Sequence, residues 1–337
     1  MSDTAELDPA SPTPLVTLVG AGPVGAGLAG KLVRSGVPVA ALYGRTERQA
    51  MEAAISAGVL GLCEDVSELV RGADVVIVAV SDSRIGEVAE AYARKGVIGS
   101  NQVVLHTSGA WAAEELLAGL RGKVKGLGTL HPLASLSQRA QAHARLHQAS
   151  FAVEGDDVAL PVARRLVHRM GGTPMALAPG KMPLYHAGAA IGSNLVVALV
   201  DLARRVLTAA GVDPSHVVPA LVPLLRSTAD NLARQGLPQA LTGPVARGDV
   251  GTVERHLHAL ETALPDVAAL YRRLGQEVLQ VAEARMPELE GKVRETLRGL
   301  FRPDGTPADA AAPGDGPQKE GSGRPAAASR RKGNGRA

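Results

Sequence analysis

Residues 15–36 read LVTLVGAGPVGAGLAGKLVRSG, an apolar run that stops at Gly20 and gives way to a helical pattern. Gly20, Gly22 and Gly25 form G-x-G-x-x-G at that junction. The first glycine permits a tight turn, the second lets backbone approach a pyrophosphate, and the third allows close packing of helix on strand. The following helix N-terminus, with Pro23 and Val24 in its first turn, offers unpaired N–H groups to phosphates. A strand, a glycine turn and a helix in this order predict a dinucleotide-binding α/β half.

Working outward, short Val-rich runs alternate with helical patterns as far as about Val153: VPVAALYG, ADVVIVAV, NQVVLHTSG, KVKGLGTLHP and SFAVEG. Strands apolar along their whole length are buried on both faces, which predicts a parallel, doubly wound sheet. The segment beginning at Trp111 reads as a crossover helix. After Pro161 the strand signal stops, and segments 158–170, 183–210, 215–235, 249–261 and 265–285 carry apolar residues at spacings of three and four. The expected fold is therefore an N-terminal α/β domain over 14–154 followed by an all-α domain over 155–301. Residues 1–13 and 302–337 are expected to be disordered.

The chain has 337 residues, enough for two cores, and 45% of them are hydrophobic. Only 2% are aromatic, too few for the stacking platforms of a single-strand nucleic-acid reader. The formal charge of +3 resides in the tail, where from Arg302 onward seven Lys or Arg face four Asp or Glu. Arg330, Arg331 and Lys332 read as a solvated end rather than a specific nucleic-acid contact. Cys63 is the only cysteine, so no internal disulfide forms. With no secretion signal at the start and no apolar run of about 18 residues, the expectation is a cytoplasmic protein with no membrane partner. No metal site is expected.

Cofactor choice is made where the VPVAALYG run ends. There Gly44, Arg45 and Thr46 stand where an acid would accept the 2′-hydroxyl of NAD. A guanidinium and a hydroxyl suit a 2′-phosphate instead, so NADP(H) is expected. Ser81 and Asp82 end another strand and are expected to meet the cofactor through backbone, with Asp82 as a helix N-cap.

Polar residues that packing does not need collect in four places. Ser108 lies in HTSG and His131 in HPL, both at strand ends facing the same crevice, whereas His106 reads as a buried histidine satisfied by its neighbours. In YHAGAAIGSN, residues 185–194, one helix starting near Pro183 would carry His186, Ser193 and Asn194 as a polar strip. In LTGPVARGD, Thr242 and Arg247 sit at a turn able to grip a carboxylate, with Asp249 capping the next helix.

Taken together, GAGxVG, VSD, HTSG, HPL, YHxxAxxxSN and LTGPxARGD resemble the family that joins a Rossmann-like domain to the helical domain of unknown function 2520, across roughly residues 15–300. That family is similar in layout to the superfamily of 6-phosphogluconate dehydrogenase, ketopantoate reductase and pyrroline-5-carboxylate reductase. The resemblance implies that the first long helix after the Rossmann-like domain supplies a catalytic Asn, here Asn194. It places His186 where the superfamily carries a Lys, with Lys181 as the alternative, and it implies a homodimer. The expected activity is NADPH-dependent reduction of a small oxo acid, ketopantoate foremost. His186, with Ser193 and Asn194 beside it, or His131, would act as proton donor, and Arg247, Thr242, Ser108 and Lys181 would bind substrate. Imine reduction resembling that of pyrroline-5-carboxylate reductase, and NADPH sensing without turnover, are the alternatives.

Overall fold

The computed structural model describes residues 12–59, 66–286 and 290–303. Cys63, Arg330, Arg331 and Lys332, with nearly all of both termini, lie outside them. Two compact units divide at Ala198/Leu199.

In chain order the first unit holds β1 (Val16–Val19), α1 (Pro23–Arg34), β2 (Val39–Tyr43), α2 (Glu47–Ala57), α3 (Val66–Arg71), β3 (Val75–Val78), α4 (Asp82–Arg94) and β4 (Val103–His106). It continues through α5 (Ala113–Leu116), β5 (Gly126–Pro132), α6 (Arg139–Arg145), β6 (Ser150–Gly155), α7 (Ala159–Arg169), β7 (Thr173–Ala176), α8 (Met182–Gly192) and the start of α9 (Asn194–Ala209). The strands form one sheet in the order β2-β1-β3-β4-β5-β6-β7. Strands β1, β3 and β4 are buried along their whole length. Their side chains alternate between two cores, Val75 and Ile77 joining Leu28, Leu32 and Phe151 on one face, Val76 and Val78 joining Ile85 and Leu120 on the other. Direction of winding reverses between β1 and β3, and such a switch point leaves a crevice at the carboxyl ends of the strands.

Three features differ from the sequence reading. Strand β6 runs antiparallel to β5, with Pro132 opposite Phe151 and Gly128 opposite Gly155. A parallel return needs a crossover that carries the chain back to the other end of the sheet. Here Leu133 N–H donates to the Ser150 carbonyl (2.8 Å), so β6 starts at the edge where β5 ended, and α6 packs on α1, where Ala142 fills the space a side chain on Gly27 would need. Strand β7 was hidden by its Pro174 and its four-residue length, yet it pairs in parallel with β6. With β7 in the sheet and α7 packed against it, the first compact unit runs to Ala198. The stretch after Trp111 forms the short α5 and a 3-10 turn (Ala118–Leu120).

The second unit is helical: the rest of α9, α10 (Pro214–Gln235), a 3-10 turn (Val245–Arg247), α11 (Val250–Ala263), α12 (Pro265–Arg285) and α13 (Gly291–Leu300). Val253, Leu257, Leu279, Leu297 and Phe301 make one core, and Leu202 and Val206 of α9 pack on Leu260, Val267 and Ala268 in a second. Asp249 caps α11 by accepting from the Thr252 N–H, as its position in the sequence predicts.

Candidate active site

The glycine turn after β1 fits a dinucleotide. A Cβ on Gly20 would stand 2.3 Å from the Ala79 carbonyl oxygen, and one on Gly25 only 1.8 Å from the Gly20 carbonyl oxygen. The first contact holds the exits of β1 and β3 together and the second seats the start of α1 on the turn, and only glycine allows either. Nothing stands within 4 Å of a Cβ on Gly22, which is the N-cap of α1 and leaves the first-turn N–H groups of Val24 and Gly25 without a side-chain cap. That combination is an open anion cradle.

Beside it lies a cavity of about 300 Å³ bordered by Gly20, Tyr43, Arg45, Arg84, Tyr92 and Lys95. Arg45 and Thr46 are exposed at the end of β2. Thr46 caps α2 by accepting from the Gln49 N–H, which leaves its own hydroxyl proton free to donate to a phosphate. Gly44 is packed against Ala21 and Ala50 and holds the loop close to the cradle. Arg84 and Lys95 add two cations that the sequence reading did not name; Arg84 also pairs with Glu87 at 3.6 Å. The only hint in the sequence is the place of Arg84, two residues past the end of a strand's VSD. The donor set suits the 2′-phosphate of NADP.

Ser81 is the N-cap residue of α4, so Asp82 is the first helical residue rather than the cap. Its carboxylate is used elsewhere, accepting from the Ser108 hydroxyl at 2.7 Å. Ser108 is 1% exposed and also accepts from the Ala110 N–H, so its hydroxyl shapes the HTSG loop from within. Under that loop, His106 Nδ1 accepts from the Ser108 N–H (3.1 Å), which leaves Nε2 to carry the proton towards Thr129 Oγ1 (3.1 Å). Thr129 in turn donates to the Glu154 carboxylate, which also accepts from the Ala113 N–H. His106 is thus the satisfied buried histidine expected. Burial holds its pKa down at about 4 and pushes the Glu154 carboxyl up.

A second cavity, about 580 Å³, opens where β5 meets α8. His131, Tyr185, His186, Ser193 and Asn194 all border it. His131 Nδ1 lies 2.9 Å from the Tyr185 hydroxyl, and its ring meets those of Tyr185 and His186 edge-on, with centroids 5.6 and 6.0 Å away. A Cβ on Gly109 would fall 2.7 Å from His131 Nε2 and 2.8 Å from His186 Nδ1, so the HTSG loop comes in against both imidazoles. Burial, aided by His186, depresses the His131 pKa to about 4, and burial raises that of Tyr185 to about 12. At neutral pH the pair is a neutral imidazole and an un-ionised phenol.

The polar strip expected on one continuous helix is broken at Ser193 (φ −132°, ψ −77°), where α8 ends and α9 begins. A Gly-Ser pair at this point is a common cause of a helix kink. The break still leaves Ser193 and Asn194 on the cavity. Lys181 stands exposed at the N-cap of α8. Thr242 and Arg247 are exposed in the second unit, Arg247 closing the 3-10 turn before Asp249. Tyr185 stands in the same polar stretch as His186, but the sequence gives it no role, because its partner is 54 residues away. Among the described residues no cluster of three or more His, Cys, Asp or Glu could hold a metal.

Residues 15–102 match the family model described as NADP oxidoreductase coenzyme F420-dependent, and residues 149–278 match domain of unknown function 2520. No curated protein matches the chain. A protein of Thermotoga maritima is 25% identical with a TM-score of 0.61, covering 80% of this chain and 99% of its own. A pyrroline-5-carboxylate reductase of Coxiella burnetii is 16% identical (TM-score 0.56, 82% and 98% covered). A reductive aminase of Aspergillus terreus in complex with NADPH and ethyl-5-oxohexanoate is 15% identical (TM-score 0.52, 86% and 93% covered). The last two share the fold. The chain joins a Rossmann-like NADP oxidoreductase domain to domain of unknown function 2520, the pairing that the sequence motifs resemble.

Two outcomes test this site. Gly25→Ala drives a methyl group into the Gly20 carbonyl, so NADPH binding followed by fluorescence should weaken at least about 100-fold; unchanged binding would place the cofactor elsewhere. From pH 6.5 down to about 4 the unfolded chain takes up protons on His106 and His131 that the folded protein refuses, so stability is full above that window and falls as pH falls through it. Urea unfolding should show a loss on the order of 2 kcal/mol for His106 between pH 7.5 and 5, reduced in His106→Asn, whereas equal slopes in the two proteins would contradict the burial argument.

Proposed function

We propose that this NADP-dependent oxidoreductase reduces the carbonyl group of a small oxo acid, with ketopantoate the first substrate to assay. The observation that supports the reading is the grouping of neutral proton-bearing side chains, His131 and Tyr185 with His186 beside them, on one cavity at the carboxyl edge of the sheet that carries the glycine cradle. Bound NADPH supplies a hydride to an electrophilic carbon. What the protein must add is orientation, exclusion of water and a proton for the atom on which charge develops. Ser193 and Asn194 border the cavity as hydrogen-bonding groups that can orient a polar substrate.

Imine reduction needs less from these groups, because an iminium arrives already protonated, and the fold shared with the pyrroline-5-carboxylate reductase keeps that reading as second. NADPH oxidation followed across a panel of oxo acids and cyclic imines separates the readings. Turnover of oxo acids at least about tenfold above imines is expected; the reverse order favours imine reduction. Silence across the panel with NADPH binding intact would leave a sensor.

The reading also includes a homodimer. Met182–Ala209 is a 28-residue helical stretch whose most apolar 18 residues have a mean hydropathy of 1.4, so, unlike the run-based expectation, it is long and apolar enough by composition to cross a membrane. Its charged residues argue for a protein partner: Asp201 pairs with Arg204 at 2.8 Å, and Arg205 with Asp266 at 2.6 Å. Exposed Leu184, Ile191, Leu195 and Val197 then suit the same surface on a second copy. Light scattering after size-exclusion chromatography should give twice the 34.6 kDa chain mass without detergent. A monomer, or a need for detergent, would overturn the dimer.

A further inference from the structure

The oxo-acid reading needs a proton at the substrate oxygen and a way to replace it, and the cavity holds both. Tyr185 borders the cavity with its hydroxyl 2.9 Å from His131 Nδ1. The other nitrogen of that imidazole faces the notch at Gly109, where a side chain would stand 2.7 Å from His131 Nε2 and 2.8 Å from His186 Nδ1. The two nitrogens therefore lie no more than about 5.5 Å apart beside the Gly109 backbone, a span that one water can bridge. His186 is exposed, whereas His131 and Tyr185 are both half-buried, so His186 is the member of the three that meets solvent.

We propose that Tyr185 is the catalytic proton donor and that His131 replaces its proton, drawing on solvent through His186 across the Gly109 notch. The proposal rests on the carbonyl-reductase reading above. With His131 Nδ1–H donating to the Tyr185 oxygen, the phenolic hydrogen is free to meet the substrate. As the carbonyl carbon is reduced, the C=O π pair moves to oxygen, which takes the phenolic proton. The broken O–H bond leaves its pair on Tyr185, and that oxygen takes the Nδ1 proton. His131 gains a proton at Nε2 from the notch and ends neutral, as the other tautomer. One proton has entered from solvent, and no side chain retains a charge. His186 serves as the entry and is not the donor itself. Tyr185 is the residue that touches substrate.

The test compares wild type, Tyr185→Phe and His131→Gln. Tyr185→Phe should lower kcat on the best oxo acid by about 100-fold or more, the range general-acid catalysis covers, with NADPH affinity unchanged. The double variant should lose little more than Tyr185→Phe alone, because the two residues act as one unit. ¹⁵N NMR of the ring nitrogens without substrate reads the pair directly: the His131 Nδ1 resonance should move in Tyr185→Phe, and the His106 resonances should not. A Tyr185→Phe enzyme within about threefold of wild type, or an unmoved His131 resonance in a folded variant, overturns the proposal. Wild type silent on every oxo acid overturns the reductase reading instead, and the relay's catalytic role with it.

Discussion

Close backbone packing at the exits of β1 and β3 is the constraint on which the rest depends. The Gly20 backbone lies against the Ala79 carbonyl, and Gly25 against the carbonyl of Gly20, at distances no side chain allows. Because winding reverses at that point of the sheet, the same packing opens the crevice and aims the start of α1 into it. Four of the candidate site residues lie along the same carboxyl edge: Arg45 after β2, Asp82 after β3, Ser108 after β4 and His131 at the end of β5.

Along this edge the protein separates two uses of histidine. His106 has both nitrogens committed, one to the Ser108 N–H and one to Thr129, and is fully buried. Its work is to hold the HTSG loop, and the Thr129–Glu154 pair behind it fixes its tautomer. His131 gives one nitrogen to Tyr185 and turns the other to the Gly109 notch beside His186. The loop that His106 steadies is the one that presents Gly109, so the buried network sets the geometry of the exposed one.

Much of this was legible in the sequence because it depends on local pattern. Uninterrupted apolar strands, the glycine turn and the helical spacing after Pro161 predicted β1 to β5, α1 and α7 to α12 to within a few residues. The direction of β6 was not legible, since its run SFAVEG reads the same either way and only the α6–α1 packing decides. Strand β7 carries a proline, and the kink at Ser193 shows only as a Gly-Ser pair among many small residues. The Tyr185–His131 bond joins a helix start to a strand end, and single-sequence periodicity holds no information on such pairs. Asp82 was placed in the right turn but given the wrong task, because a helix-start aspartate looks the same whether it caps the helix or accepts from a distant Ser108.

The central claim is that a reduced nicotinamide reacts beside Tyr185 and His131 at the carboxyl edge of this sheet. A crystal structure of the NADP⁺ complex tests it most directly. The account predicts pyrophosphate on the Gly20–Gly25 turn, the 2′-phosphate near Arg45 and Thr46, and the nicotinamide at the cavity bordered by Tyr185 and His131. A nicotinamide lodged away from that cavity, or a cofactor that leaves the glycine turn empty, would contradict it.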